Sequence, residues 1–246
     1  MITEVTQSTA AQFTARLGQT PFFAAAMGVT QATTQGRHKL AQFYLVGSTA
    51  ALQLVGQNAL LCGHVDDAEE MNSFLQFCGV ARIKTDGFAP DGFAEEELLM
   101  MQYSGAEESL PLPQGMVLDT CPRMIPLSIT PCLGDGTGVR ADDFASDACA
   151  RRNRAMAEIW ALTQNGQYVS TAGIYAITPW EAYLAAVATH QDYQRRGAAG
   201  YLVQNLAKKY ASRPVRLLCA ANNVPFYTRC GFTPVGKVRQ FVRVAL

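Results

Sequence analysis

The 246-residue chain is 49% hydrophobic and only 16% charged, enough apolar surface for a packed core and too little charge for an intrinsically disordered protein. Its 20 basic and 20 acidic side chains balance to a formal net charge of zero, which argues against a dedicated nucleic-acid binder, whose surface is basic. The seven cysteines are scattered and form no CxxC pair, so they suggest neither a zinc site nor a disulfide framework and fit free thiols in a reducing cytoplasm. No basic, apolar leader follows Met1, and the apolar runs are too short or too interrupted to span a bilayer. The sequence therefore predicts a cytoplasmic protein of one large or two small domains, with no membrane or nucleic-acid partner.

In chain order, Thr9–Leu17 reads as a helix, and Pro21 opens a second helix through Met27. Three strands follow at Ala41–Val46, Ala50–Val55 and Asn58–Cys62, separated by Gly47-Ser48 and Gly56-Gln57. Asp66–Cys78 is a helix capped by Asp66 or Asp67, with Met71, Phe74, Leu75 and Cys78 on one face and Gly79 ending it. Val80–Lys84, Leu98–Tyr103 and Met116–Asp119 are further strand candidates. Pro122–Gly138 is rich in Pro and Gly and reads as a linker, which places a domain boundary at 125/126. Its GDGTG run lacks the preceding strand and the full glycine spacing of a nucleotide loop.

The second part opens with a helix at Asp142–Arg154, whose Arg151, Arg152 and Arg154 read as a solvated face. Strands at Ala157–Thr163 and Tyr168–Tyr175 join through Asn165-Gly166, a strong hairpin signal. Then come a strand at Ala182–Thr189, a helix at Ala198–Tyr210, a strand at Val215–Cys219, a short helix at Val224–Arg229 with Gly231 past its end, and a strand at Phe241–Val244. The junction after Thr189 is the most informative stretch. A strand running into Gln194-Arg195-Arg196-Gly197-Ala198-Ala199-Gly200 at a helix start presents free N–H groups and the positive end of the helix dipole. That is a phosphate cradle, and its Gly and Ala residues let a ligand approach the backbone. Arg195 and Arg196 either add donors to it or form an exposed basic turn.

Two motifs resemble the GNAT acetyltransferase superfamily. Gln194-Arg195-Arg196-Gly197-Ala198-Ala199 is similar to the family's Q/R-x-x-G-x-G/A cofactor motif between a strand and a helix. Phe226-Tyr227-Thr228-Arg229-Cys230-Gly231-Phe232 is similar to its late aromatic-Tyr-x-x-x-Gly-Phe motif. They occur in the family's order with a buried strand between, and the resemblance covers about residues 142–246. Two departures stand out: Gln191 replaces the usual proline of the turn, and the family's Asn, seven residues before the Tyr, falls on Ala220, with Asn222 and Asn223 nearby.

The resemblance implies an α+β fold: a mixed, mostly antiparallel sheet flanked by helices. It also implies an N-acetyltransferase that moves an acetyl group from acetyl-CoA to a primary amine by direct attack in a ternary complex, without a metal. Val187, Ala188 and Thr189 would bind the pantetheine arm, one of their N–H groups holding the developing oxyanion. Gln194, Arg195, Arg196, Gly197, Ala198, Ala199 and Gly200 would wrap the pyrophosphate, and Asn222 or Asn223 would replace the absent Asn contact. Tyr227 would be the general acid for the departing thiolate; on spacing alone it reads rather as a packing tyrosine, and it is the motif that favours the acid. Glu181 and His190 are candidate bases, each also readable as a solvated side chain at a strand end.

Residues 1–125 repeat the coarse element order of the second half, which suggests two tandem lobes with a degenerate first copy. There the turn after Asn58–Cys62 carries Asp66 and Asp67 where a pyrophosphate would sit, and like charges repel it. Residues 126–246 are thus the expected catalytic domain. The acceptor, a small-molecule or peptide amine, and the oligomeric state stay open. A non-catalytic acyl-CoA binding or sensing module and a site for another phosphate ligand are the alternatives.

Overall fold

The computed structural model describes residues 1–19, 21–34, 41–122 and 141–244. The GDGTG run and the expected boundary at 125/126 lie outside them. The chain divides into two compact units, Met1–Leu98 with Lys237–Leu246, and Leu99–Gly236. This division by compactness falls at 98/99 and returns the C-terminal strand to the first unit, which local composition did not signal.

The strands are β1 (Ile2–Glu4), β2 (Gln42–Val46), β3 (Ala50–Val55), β4 (Asn58–Cys62), β5 (Arg82–Thr85), β6 (Phe93–Tyr103), β7 (Val117–Asp119), β8 (Glu158–Gln164), β9 (Gln167–Ile177), β10 (Ala182–Thr189), β11 (Val215–Cys219) and β12 (Phe232–Arg243). The helices are α1 (Ala10–Arg16), α2 (Pro21–Thr34), α3 (Ala68–Phe77), α4 (Ala141–Asn153), α5 (Ala198–Lys209) and α6 (Val224–Arg229).

In the first unit β2, β3 and β4 form an antiparallel meander whose turns use Gly47 and Gly56 at positive φ. Helix α3 then crosses over, and β5 pairs parallel to β4 through four rungs, Asn58↔Arg82 to Leu61↔Thr85. Asp67 caps α3, accepting a hydrogen bond from the Glu70 N–H at 2.9 Å. Met71 and Leu75 of α3 pack fully buried against Leu52, Leu61, Ile83 and Phe241.

Strands β6 and β12 are both longer than their expected cores at Leu98–Tyr103 and Phe241–Val244. The added residues look like loop because they are charged, yet they answer one another. Glu95 pairs with Arg239 at 2.7 Å, Glu97 with Lys237 at 2.8 Å, and Gln240 donates to Glu96 at 2.8 Å. Opposite charges facing across strands stabilise pairing that a hydrophobic pattern does not reveal.

The second unit orders its strands β6-β11-β10-β9-β8-β7. The β8–β9 hairpin turns on Asn165 (φ +53°) and Gly166 (φ +75°), the left-handed pair that a two-residue turn requires. Helix α5 lays Leu202, Val203, Leu206 and Ala207 on the sheet, against Leu184, Leu217 and Phe232. Arg151 is not on a solvated face. It is only 9% exposed, bridges to Asp147 at 2.7 Å and donates to the Tyr175 carbonyl at 2.8 Å, because α4 packs that side onto β9.

Gly231 ends α6 at φ +91°, and a Cβ there would lie 2.6 Å from the Gly105 carbonyl oxygen. The motif glycine is therefore needed both for left-handed backbone and for close backbone contact. Gly231→Ala is expected to cost at least about 2 kcal/mol, read from urea unfolding at unchanged slope. A loss under 0.5 kcal/mol would show that the approach relaxes freely.

Candidate functional site

The site is made by two strands that part. Strand β10 pairs parallel to β11 at only two rungs, Ala182↔Val215 and Tyr183↔Arg216. Beyond them β10 runs on to Thr189 without β11. On its other edge, pairing with β9 shifts register between Ala185 and Ala188, where Ala186 takes φ +52°. Such a bulge bends and twists a strand. Backbone N–H and C=O groups of β10 are thus left to face the gap.

The gap opens into a cleft of about 770 Å³. Val187, Ala188 and Thr189 form one wall. Gln194, Arg195, Gly197, Ala198, Ala199 and Gly200 form its end at the start of α5. Asn223 and Tyr227 line it from α6 and the turn before it. So eleven of the thirteen residues expected at the cofactor meet here; Arg196 and Asn222 do not line the cleft. The Arg196 guanidinium instead stacks over the Tyr193 ring at 5.1 Å.

The α5 end leaves its backbone donors uncapped. Arg195 (φ +61°) and Gly197 (φ +84°) are both left-handed, separated by one residue, which turns successive N–H groups inward. Gly197 offers no side chain to cap the helix, and no acid stands in its first turn. The orphan donors and the dipole are therefore free to serve a ligand. Thr189 is fixed at the edge: its hydroxyl lies 2.8 Å from that of Ser170, and its carbonyl accepts from Gln194 Nε2 at 3.3 Å.

Tyr227 lines the cleft with its ring edge-on to Phe226 and Phe232. Burial, then the neighbouring Cys219 and Cys230 thiols, push its phenol well above the ordinary tyrosine value. It is thus a neutral hydrogen-bond donor throughout the physiological range.

The two candidate bases are placed elsewhere. His190 caps the short turn at Gln191–Tyr193, its Nδ1 accepting from the Asp192 N–H at 3.4 Å, and does not line the cleft. Glu181 is not solvated as expected but 1% exposed, paired with Arg216 at 3.2 Å. Arg216 in turn donates to Gln102 at 3.1 Å. Burial raises the Glu181 carboxyl above its usual range, and the Arg216 charge opposes it. The sequence could not signal this burial, since the partner stands on another strand.

Leu110, Tyr193, Phe226, Arg229 and Cys230 also line the cleft without having been singled out as ligand contacts. Leu110 lies in a proline-flanked loop with no periodicity to mark it. Tyr193 carried a usable signal, an aromatic inside the turn of the cradle.

Residues 133–232 match the family model described as the acetyltransferase (GNAT) family. This stretch is a GNAT domain. The solved structures extend the likeness to the whole fold. A GCN5-related N-acetyltransferase-like protein of Streptococcus suis has 15% identity and a TM-score of 0.61, covering 94% of this chain and 98% of its own. A GCN5-related N-acetyltransferase of Sphaerobacter thermophilus has 13% identity and a TM-score of 0.60, covering 100% and 96%. A tandem GNAT protein from the clavulanic acid biosynthesis pathway has 12% identity and a TM-score of 0.63, covering 98% and 97%. No curated protein matches the sequence significantly. The expected α+β fold of two lobes, with a mixed sheet flanked by helices, is the fold observed.

Because the buried Glu181 pairs with Arg216, itself 20% exposed, Glu181→Ala should leave a partly buried cation without its carboxylate and cost about 3 kcal/mol in chemical denaturation. Glu181→Met with Arg216→Met should recover most of that loss. An additive double variant would mean that the two charges do not act as a pair.

Proposed function

We propose that the chain is an N-acetyltransferase that uses acetyl-CoA and passes the acetyl group to a primary amine of a small molecule or peptide in a ternary complex. The observation that carries this reading is the coincidence, in one cleft, of the parted β10 edge, the uncapped α5 terminus and the Tyr227 phenol. The cleft suits the coenzyme: its donors at Arg195–Gly200 match a pyrophosphate, and its apolar wall at Val187 and Phe226 matches an aliphatic arm. When bound, acetyl-CoA supplies an activated thioester, so neither metal nor covalent enzyme intermediate is required. Backbone groups of Val187–Thr189 orient the acyl carbonyl and donate to the charge that develops on it, a contribution of about 10²–10³ in rate.

Tyr227 donates a hydrogen bond to the sulfur as it leaves. Its raised pKa suits a donor that stays protonated, and the same burial makes the thiolate more basic. Neither Glu181 nor His190 serves as base in this scheme, since one is buried in an ion pair and the other caps a turn outside the cleft. The amine's proton leaves through water.

The first unit is proposed as a degenerate copy that binds no coenzyme. Its parallel pair β4–β5 stays closed over four rungs, and the start of α3 is filled by its own cap Asp67, with Glu69 and Glu70 in the first turn. The six cysteines described across the two units are free thiols, which supports placing the chain in a reducing cytoplasm.

An acceptor screen that reads released CoA tests the activity. With an acceptor in hand, Tyr227→Phe should lower kcat by about 10²-fold and leave the acetyl-CoA affinity nearly intact. Because the phenol is protonated across roughly pH 6 to 10, the ratio of wild type to variant should be flat over that range. Unchanged kcat with chemistry rate-limiting would remove Tyr227 from the mechanism.

A further inference from the structure

The segment 104–116, outside both motifs, brings Leu110 to the lining of the cleft. It is tied at three places. The Ser104 N–H and hydroxyl both donate to the Gly231 carbonyl, at 2.9 and 3.2 Å. The Gln204 side chain, 3% exposed on α5, holds the middle: its Nε2 donates to the Glu108 carbonyl at 2.8 Å, and its Oε1 accepts from the Leu110 N–H at 2.6 Å. At the far end, Met116 donates its N–H to the Pro113 carbonyl at 3.1 Å and buries its side chain in the core. A buried amide that uses both ends on one short loop fixes that loop's position closely.

This strap meets the ligand-binding end of α5 directly. A Cβ at Gly200 would lie 2.9 Å from Leu110 Cδ1, so the glycine makes room for the leucine. Pro113 stands beside Gly197, 3.9 Å from where a Cβ would be. Leu110 faces the same cleft as Val187, Phe226 and Cys230. Leu110 thus lines the cleft beside Gly200 and Cys230, and an apolar side chain there suits an aliphatic chain rather than a charged group.

We propose that Leu110 is a binding residue for the pantetheine arm of the coenzyme, and that Gln204 is its positioning residue. This rests on the coenzyme reading above. Leu110 adds an apolar contact to those of Val187 and Phe226 in the same cleft, and the side-chain amide of Gln204 fixes where Leu110 stands.

Titration with two ligands tests it: CoA, and 3′-phospho-ADP, which has the nucleotide and pyrophosphate but no arm. Leu110→Ala should weaken CoA about tenfold, the loss of one well-packed leucine contact, and change 3′-phospho-ADP less than twofold. Gln204→Met, which keeps the length of the side chain, should give the same pattern and in addition speed hydrogen exchange at the Leu110 amide, whose acceptor it removes. Unchanged CoA affinity in Leu110→Ala, with wild type binding normally, would overturn the proposal. So would an equal loss for both ligands, which would place the effect on the cradle. No CoA binding by wild type would instead overturn the coenzyme reading itself.

Discussion

Two rungs of parallel pairing hold β10 to β11, and the cleft of the second unit depends on their being only two. Ala182↔Val215 and Tyr183↔Arg216 close one end of the pair. The Glu181–Arg216 ion pair sits at that same closed end, with Gln102 steadying the arginine. Past this clamp the bulge at Ala186 turns β10 away. A parallel strand pair that zipped to Thr189 would satisfy its own backbone and leave no cleft. Because it stops short, polar backbone groups that a sheet would consume are left for a ligand.

The first unit shows what happens without that interruption. Both units run three antiparallel strands into a helical crossover and a parallel strand. In the first, β4 and β5 stay paired over four rungs, and Asp67 already occupies the start of the crossover helix. In the second, Gly197 leaves the equivalent helix start bare. The same element order thus gives a closed strand pair with a capped helix in one case and an open cleft with an uncapped helix in the other. The difference lies in two rungs and one capping side chain, rather than in the layout of strands and helices.

Much of this was legible in the residues. Apolar runs marked β3, β4, β10 and β11, the first two bounded by glycine, and Asn165-Gly166 marked its hairpin. The bare start of α5 was readable because its small residues and the lack of an acidic cap are local properties. What escaped was whatever depends on a distant partner. The charged half of β6 becomes strand only because Arg239 and Lys237 stand opposite Glu95 and Glu97. Glu181 looks solvated until Arg216 is placed beside it. Leu110 looks like an ordinary loop residue until the Gln204 amide, far along the chain, takes hold of its backbone. Spacing along a sequence does not encode such contacts.

The central claim is one coenzyme site per chain, made by the parted strands of the second unit. Calorimetric titration of the full chain with acetyl-CoA tests it most directly. Binding of one equivalent, lost on Gly197→Asp through charge and bulk at the α5 terminus, is the expected result. Two equivalents, no binding, or a single equivalent that survives Gly197→Asp unchanged would contradict it.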